Sequence, residues 1–178
     1  MKNFEDPSSE DLKVIERQLG RPPRNVLKIA HRCECGAPAV ITTAPRLSDG
    51  TPFPTYFYAT CPKLTGALST LESAGLMTQF NQELSTDSNL REHLKTAHDR
   101  YLQARDLAMK NLAETSDDEN HELKNISAGG MPDRIKCLHA IAAQSFAQGV
   151  GVNKLGDRTI AALPKWWCEA PCSSASEN

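Results

Sequence analysis

The chain has 178 residues, a net charge of −2, 39% hydrophobic residues and 24% charged residues, which is enough for one ordinary globular core without disulfide staples. It has no basic excess and no apolar run near the ~20 residues needed to span a bilayer, so nucleic acid and membrane insertion are set aside as partners. The start, Met1 to Asp6, lacks the apolar segment of a signal peptide, so the expected location is the cytoplasm, where the six cysteines would stay reduced.

Residues 1–7 are expected to be disordered. Ser8-Ser9-Glu10-Asp11 then reads as a helix start, with Ser8 as the cap and Asp11 completing a capping box. Leu12, Ile15 and Leu19 share one face, and Gly20 with Pro22-Pro23 ends the helix. Val26 to Ala30 and Ala39 to Thr43 are β-like runs, and Cys33-Glu34-Cys35-Gly36 between them predicts a hairpin with two thiols at its tip. A Pro- and Gly-rich loop follows from Pro45 to Pro54. Thr55 to Thr60 is the third strand.

Cys61 then falls at an N-cap position, with Pro62 in the first helical turn. Leu64, Leu68 and Leu71 mark that helix, Gly75 ends it, and a second short helix runs from about Leu76 to Leu84. The longest helix carries a buried stripe through Leu90, Leu94, Ala97, Tyr101, Ala108 and Leu112. Its His93 and His98 are five apart, a poor spacing for sharing a metal, and are left out of any site. Residues 113–125 read as an exposed acidic linker inside one domain spanning 8–172. A helix led by Pro132 carries Ile135, Leu138, Ala142 and Phe146. A last one, capped by Asp157, carries Ile160, Leu163 and Trp166, with Trp166-Trp167 docking on the core and 173–178 disordered.

The cysteines are the most chemically loaded residues. Cys33, Cys35 and Cys61 are candidate metal ligands, with Cys137 favoured as the fourth over His31, His139, Cys172 or water. Zinc is favoured over an iron–sulfur cluster because structural zinc takes four tetrahedral thiolate or imidazole ligands. Cys137 and His139 are two apart on the expected helix, so only one should join a given site. Unliganded reduced thiols and redox chemistry are the competing readings. The second constellation is Gly129-Gly130-Met131-Pro132-Asp133-Arg134, where free amides at a helix start beside Arg134 would suit a phosphate or carboxylate. It lacks P-loop and dinucleotide spacing, and a tight turn with Pro132 at the first helical position and Arg134 paired with an acid is the favoured reading. No nucleophile elbow and no zinc helix of the HExxH type is present.

Four stretches carry a resemblance: Gln18 to Arg24, Pro45 to Thr55, Gly129 to His139 and Gly151 to Asp157. Over about Leu12 to Cys172 the chain resembles the domain of unknown function 501 family. The resemblance implies an actinobacterial cytoplasmic protein without an assigned activity. It also implies gene neighbours of a septum-formation initiator and an exopolyphosphatase. It adds weight to the Arg46 loop, the Gly129–His139 stretch and Asn153.

The expected fold is therefore α+β: a three-stranded antiparallel meander packed by about five helices. The leading function is a binding or accessory protein with a mainly structural cysteine metal site. One alternative is an enzyme acting on a phosphorylated or anionic small molecule, held by Arg46, Gly130, Arg134 and Asn153, with Asp49, Asp133 or a thiol doing the chemistry. Another is an interaction protein whose partner works in cell division or envelope growth.

Overall fold

The computed structural model describes residues 3–47, 49–111 and 123–167. The expected acidic linker (apart from residues 123–125), the tail and the thiols Cys168 and Cys172 lie outside them. The chain order is α1 (Ser9–Leu19), β1 (Val26–Arg32), β2 (Pro38–Thr43), β3 (Phe57–Ala59), α2 (Pro62–Ser73), α3 (Leu76–Thr86), α4 (Ser88–Asn111), α5 (Leu138–Gln148) and α6 (Lys154–Ala162). The architecture is α+β, with six helices among the described residues and one antiparallel sheet in the order β1-β2-β3. No described helix is long and apolar enough to cross a membrane.

The sheet follows from its side chains. β2 is buried along its whole length, so it must be covered on both faces. On one face Ile29 and Ile41 meet Ile15 of α1, with Leu19, Val26 and Tyr58 packed around them. On the other, Ala30, Val40 and Phe57 join the main core with Leu138 and Ile141 of α5. α1 is set by its capping box: Asp11 N–H donates to Ser8 Oγ at 3.1 Å and Ser8 N–H donates to Asp11 Oδ2 at 3.0 Å. The same Asp11 carboxylate takes two bonds from the Arg32 guanidinium, at 2.7 and 3.1 Å, and so ties α1 to β1. That guanidinium, with the Ser8 donors, holds the Asp11 carboxyl far below the usual carboxylate range.

Within the stretch 1–7, expected to be disordered, Glu5 forms an isolated bridge to β1. Glu5 exchanges both backbone hydrogen bonds with Ile29, at 3.2 and 2.8 Å, and Phe4 packs edge-on against Phe57. An extra pairing partner for the β1 edge was invisible in so short a polar stretch.

α5 is the central helix. Almost every residue from Leu138 to Ala147 is buried, because small alanines let the sheet on one side and other helices on the other come close. Gln144 of α5 is wholly buried and joins three helices: its Nε2 donates to Ala97 O of α4 at 2.7 Å, and its Oε1 accepts from Asn153 Nδ2 at α6 at 2.9 Å. Tyr101 of α4 places its hydroxyl under the sheet, where it accepts the Tyr56 N–H at 2.5 Å. Trp166 docks on Phe146 as expected, with ring centroids 5.8 Å apart, whereas Trp167 stays 38% exposed.

Two helix starts differ from expectation. α5 begins at Leu138, not at Pro132, because the backbone of the intervening residues is already committed. Arg134 N–H donates to Gly130 O, Lys136 N–H donates to Gly129 O, and the Asn81 side chain of α3 both donates to and accepts from Ile135 at 2.8 Å. α6 is capped by Asn153, whose Oδ1 accepts Gly156 N–H at 3.0 Å, while Asp157 reaches back to Gly151 N–H at 2.8 Å. A glycine inside this helix is required by packing: a Cβ at Gly156 would lie 2.3 Å from Ile141 O and 2.4 Å from Ser145 Oγ.

Candidate metal centre

The N-terminal end of α5 meets the side of α2. Thr65, Ser69 and Glu72 are spaced i, i+4 and i+7, so they form one polar stripe on a helix whose other face buries Leu64 and Leu68. That stripe faces residues 137–139. The first amides of any helix lack internal partners and attract negative charge. Here Glu72 supplies it, its Oε1 accepting Leu138 N–H at 2.7 Å.

His139 stands in the same place. Its Nδ1 lies 3.1 Å from Glu72 Oε1 and 3.7 Å from Cys137 Sγ. Its Nε2 lies 3.1 Å from Thr65 O and 3.4 Å from Ser69 Oγ. A carbonyl and a carboxylate can only accept, so both ring nitrogens face acceptors and the ring is held as an imidazolium. The Cys137 sulfur first, and then Glu72, raise the His139 pKa to about 9 against the opposing effect of partial burial.

Cys137 and His139 were expected to point apart. They converge because Cys137 is not on the helix. It is the N-cap residue, with φ −157° and ψ 118°, and this extended backbone turns its sulfur toward the ring two residues on.

Glu72, Cys137 and His139 are, among the described residues, the one set of three ligating side chains whose donor atoms all lie within 4.8 Å of one another. Donors round a tetrahedral zinc with bonds of about 2.0–2.3 Å sit roughly 3.3–3.8 Å apart, so these atoms are close to coordinating distance already. The donor set of one sulfur, one imidazole and one carboxylate suits zinc. An imidazolium has no lone pair at Nδ1, so an ion there would take the place of that proton. Cys137 and His139 also line a cleft of about 660 Å³, together with Thr60, Thr65, Ser127 and Gly129. That volume is typical of small-molecule clefts.

The other expected ligands lie elsewhere. Cys33 and Cys61 are 4% and 0% exposed in the main apolar core, and Cys35 is half-buried at the hairpin tip packed against it. The three are near enough to sense each other's charge. Burial first, and then Cys35 and Cys61, push the Cys33 thiol up to about 11. Cys61 occupies the N-cap of α2 as expected, with Pro62 following, but its thiol makes no cap hydrogen bond. Cys33, Cys35, Cys61 and Cys137 are not joined in disulfides, and Cys137 stands with His139 and Glu72.

The expected anion-binding residues are also dispersed. Arg46 braces its own loop, its guanidinium donating to Gly50 O at 2.8 Å. Gly130, at φ 89°, sits in the tight turn, where a Cβ would lie 2.7 Å from Arg134 O. Arg134 is exposed, and Asn153 is buried as the α6 cap. Neither Arg46 nor Arg134 lines either of the two principal clefts.

Two contributors were missed in the sequence. Glu72 was readable only as the last member of the polar stripe Thr65, Ser69, Glu72. His98, left out of any site for its spacing from His93, is 7% exposed, with its Nδ1 2.9 Å from Ser127 Oγ on the cleft wall, and burial lowers its pKa. It had no sequence signal beyond its place beside the Leu94–Ala97–Tyr101 stripe.

No curated protein and no solved structure matches the chain. A family model described as "Protein of unknown function (DUF501)" matches residues 29–161, which take in β2, β3 and all three members of the Glu72–Cys137–His139 set. With that match spanning well over half of the sequence, the chain belongs to the DUF501 family.

Proposed function

We propose that the protein is a metal-binding accessory protein of the cytoplasm, whose ion, zinc by preference, is held by Glu72, Cys137 and His139. The observation that carries this is the convergence of their three donor atoms within 4.8 Å, two of the three residues, Cys137 and His139, lining a cleft. Three protein ligands leave a tetrahedral ion one position for water or a small molecule. The core thiols Cys33, Cys35 and Cys61 are packing residues in this reading.

The test is zinc titration of chelator-stripped protein against a chromophoric competitor, with cobalt as a spectroscopic substitute. One equivalent should bind, and the cobalt form should show a sulfur-to-metal charge-transfer band. Cys137→Ser and His139→Ala should each weaken binding by about a hundredfold or more, whereas Cys33→Ser and Cys35→Ser should not. No saturable binding would overturn the proposal. So would loss of binding in the Cys33 and Cys35 variants with Cys137→Ser unaffected, which would return the site to the hairpin.

A further inference from the structure

A second concavity of about 350 Å³ lies between the end of α1, β2, β3 and the loop after β2, and adjoins the first cleft at Leu19 and Tyr58. Its floor is apolar and aromatic: Leu19, Ile41, Phe53 and Tyr58. The Phe53 and Tyr58 rings stand 6.1 Å apart at 48°, leaving two aromatic surfaces side by side. Its rim carries Arg21 and Arg24.

The sequence Arg21-Pro22-Pro23-Arg24 explains that rim. Two prolines fix φ and keep the preceding residue extended, and an extended polyproline segment has three residues per turn. Residues three apart then share a side, so both arginines border the same concavity. Both are exposed, and neither forms an ion pair with any described carboxylate at 4.0 Å or less. Arg24 acts on Asp49 only through space, and the Arg21 guanidinium reaches only the carbonyl of Pro22, at 3.5 Å.

The walls are fixed in place. Asn25, in the left-handed region at φ 54°, accepts Ala44 N–H on its carbonyl at 2.8 Å and donates its side-chain amide to Arg46 O. That locks the Arg-Pro-Pro-Arg segment to the start of the loop. Phe53 N–H donates to Pro45 O at 2.6 Å and Leu47 N–H to Thr51 O at 2.9 Å, which closes the loop on itself. A pocket preorganised in this way loses little ordering entropy when a ligand enters.

We propose that this concavity binds a phosphate monoester carried on a planar ring, with the phosphate between Arg21 and Arg24 and the ring against Phe53 and Tyr58. Two guanidinium forks match a doubly charged phosphate, and anion and ring are recognised by separate parts of one small pocket. This site is independent of the metal proposal and uses none of Glu72, Cys137 and His139, although the two clefts share Leu19 and Tyr58 in their linings.

The experiment titrates the full-length protein with four probes at low salt: adenosine monophosphate, adenosine, glycerol phosphate and inorganic phosphate. Binding is read by calorimetry and by amide shifts of residues around Phe53 and Tyr58. Adenosine monophosphate should bind saturably, and each of the other three about tenfold more weakly or worse, because each lacks the ring or the phosphate. The paired substitution Arg21→Gln with Arg24→Gln should cost about tenfold or more in affinity while leaving the melting temperature unchanged, since both side chains are exposed. Phe53→Leu should weaken adenosine monophosphate but not inorganic phosphate, and chelator should change nothing. The proposal is overturned if no probe saturates, if adenosine binds as well as its monophosphate, if glycerol phosphate or inorganic phosphate does so, or if the double arginine variant binds like the wild type.

Discussion

Replacing Glu72 by glutamine removes one charge while keeping shape and an amide oxygen, so it isolates what the carboxylate does. In the wild type that carboxylate accepts Leu138 N–H at 2.7 Å and faces His139 Nδ1 at 3.1 Å, with both side chains only about a quarter exposed (23% and 26%). Three contributions are lost or weakened. The helix-end attraction is worth about 0.3–1 kcal/mol. The charge assistance of the hydrogen bond is worth about 0.5–1.5 kcal/mol. The half-buried pair with the imidazolium adds about 1 kcal/mol.

Their sum is about 2 kcal/mol for Glu72→Gln in metal-free protein, or a fall of about 4–8 °C in melting temperature for a domain of this size. Urea denaturation at neutral pH with chelator present measures it. His139→Ala and the double variant complete a cycle whose coupling should be about 1 kcal/mol. A loss under about 0.5 kcal/mol, or a coupling of zero, would refute the reasoning that this carboxylate serves the helix and the ring together. Zinc then separates structure from site: the same variant should bind it about tenfold more weakly, and unchanged zinc affinity would remove Glu72 from the ligand set.

Two further predictions concern the frame that holds the site. Asp11→Asn removes the carboxylate that serves both the side-chain half of the capping box and the two-pronged bond to Arg32. Because the folded Asp11 carboxyl sits far below its usual range, its contribution is fully present above about pH 4 and is lost as pH falls toward the folded value. Urea denaturation of the two proteins at a series of pH values should therefore show a stability gap that is constant near neutrality and shrinks in acid; a gap that widens in acid would contradict it. Gly156→Ala sets two effects against each other. Helix propensity alone would favour alanine by about 1 kcal/mol, but the new methyl would sit 2.3 Å from the Ile141 carbonyl oxygen, a backbone atom that cannot swing away. Steric cost should win, with a net loss of about 1–3 kcal/mol by thermal or urea melts, and a stabilised variant would show that α6 does not lie so close to α5.

Features that depend on neighbours in the sequence were legible. The capping box at Ser8, the hairpin with Cys33 and Cys35 at its tip, the Cys61-Pro62 helix start and the Leu90 to Tyr101 stripe all appear where local patterning puts them. Features that depend on distant backbone were not. Pro132 is a good first helical residue in isolation, yet Asn81, some fifty positions away in sequence, takes the backbone of Ile135 and delays the helix to Leu138. Asn153 looked like a binding residue because the family resemblance gave weight to its loop. Its amide is instead spent on capping α6 and on Gln144.

The delayed start of α5 is also what assembles the candidate centre. Had the helix begun at Pro132, Cys137 and His139 would lie two apart on a regular helix, roughly 200° around its axis, and could not share an ion. Starting at Leu138 makes Cys137 an extended N-cap and exposes the amide that recruits Glu72. One backbone event therefore brings sulfur, imidazole and carboxylate together. The thiols that drew attention in the sequence have no such event. Cys33 and Cys61 are sealed in apolar packing, where burial favours the protonated form of Cys33, the form that does not ligate a metal. Spacing along the chain marked the hairpin, whereas the chemistry follows from where a helix is allowed to begin.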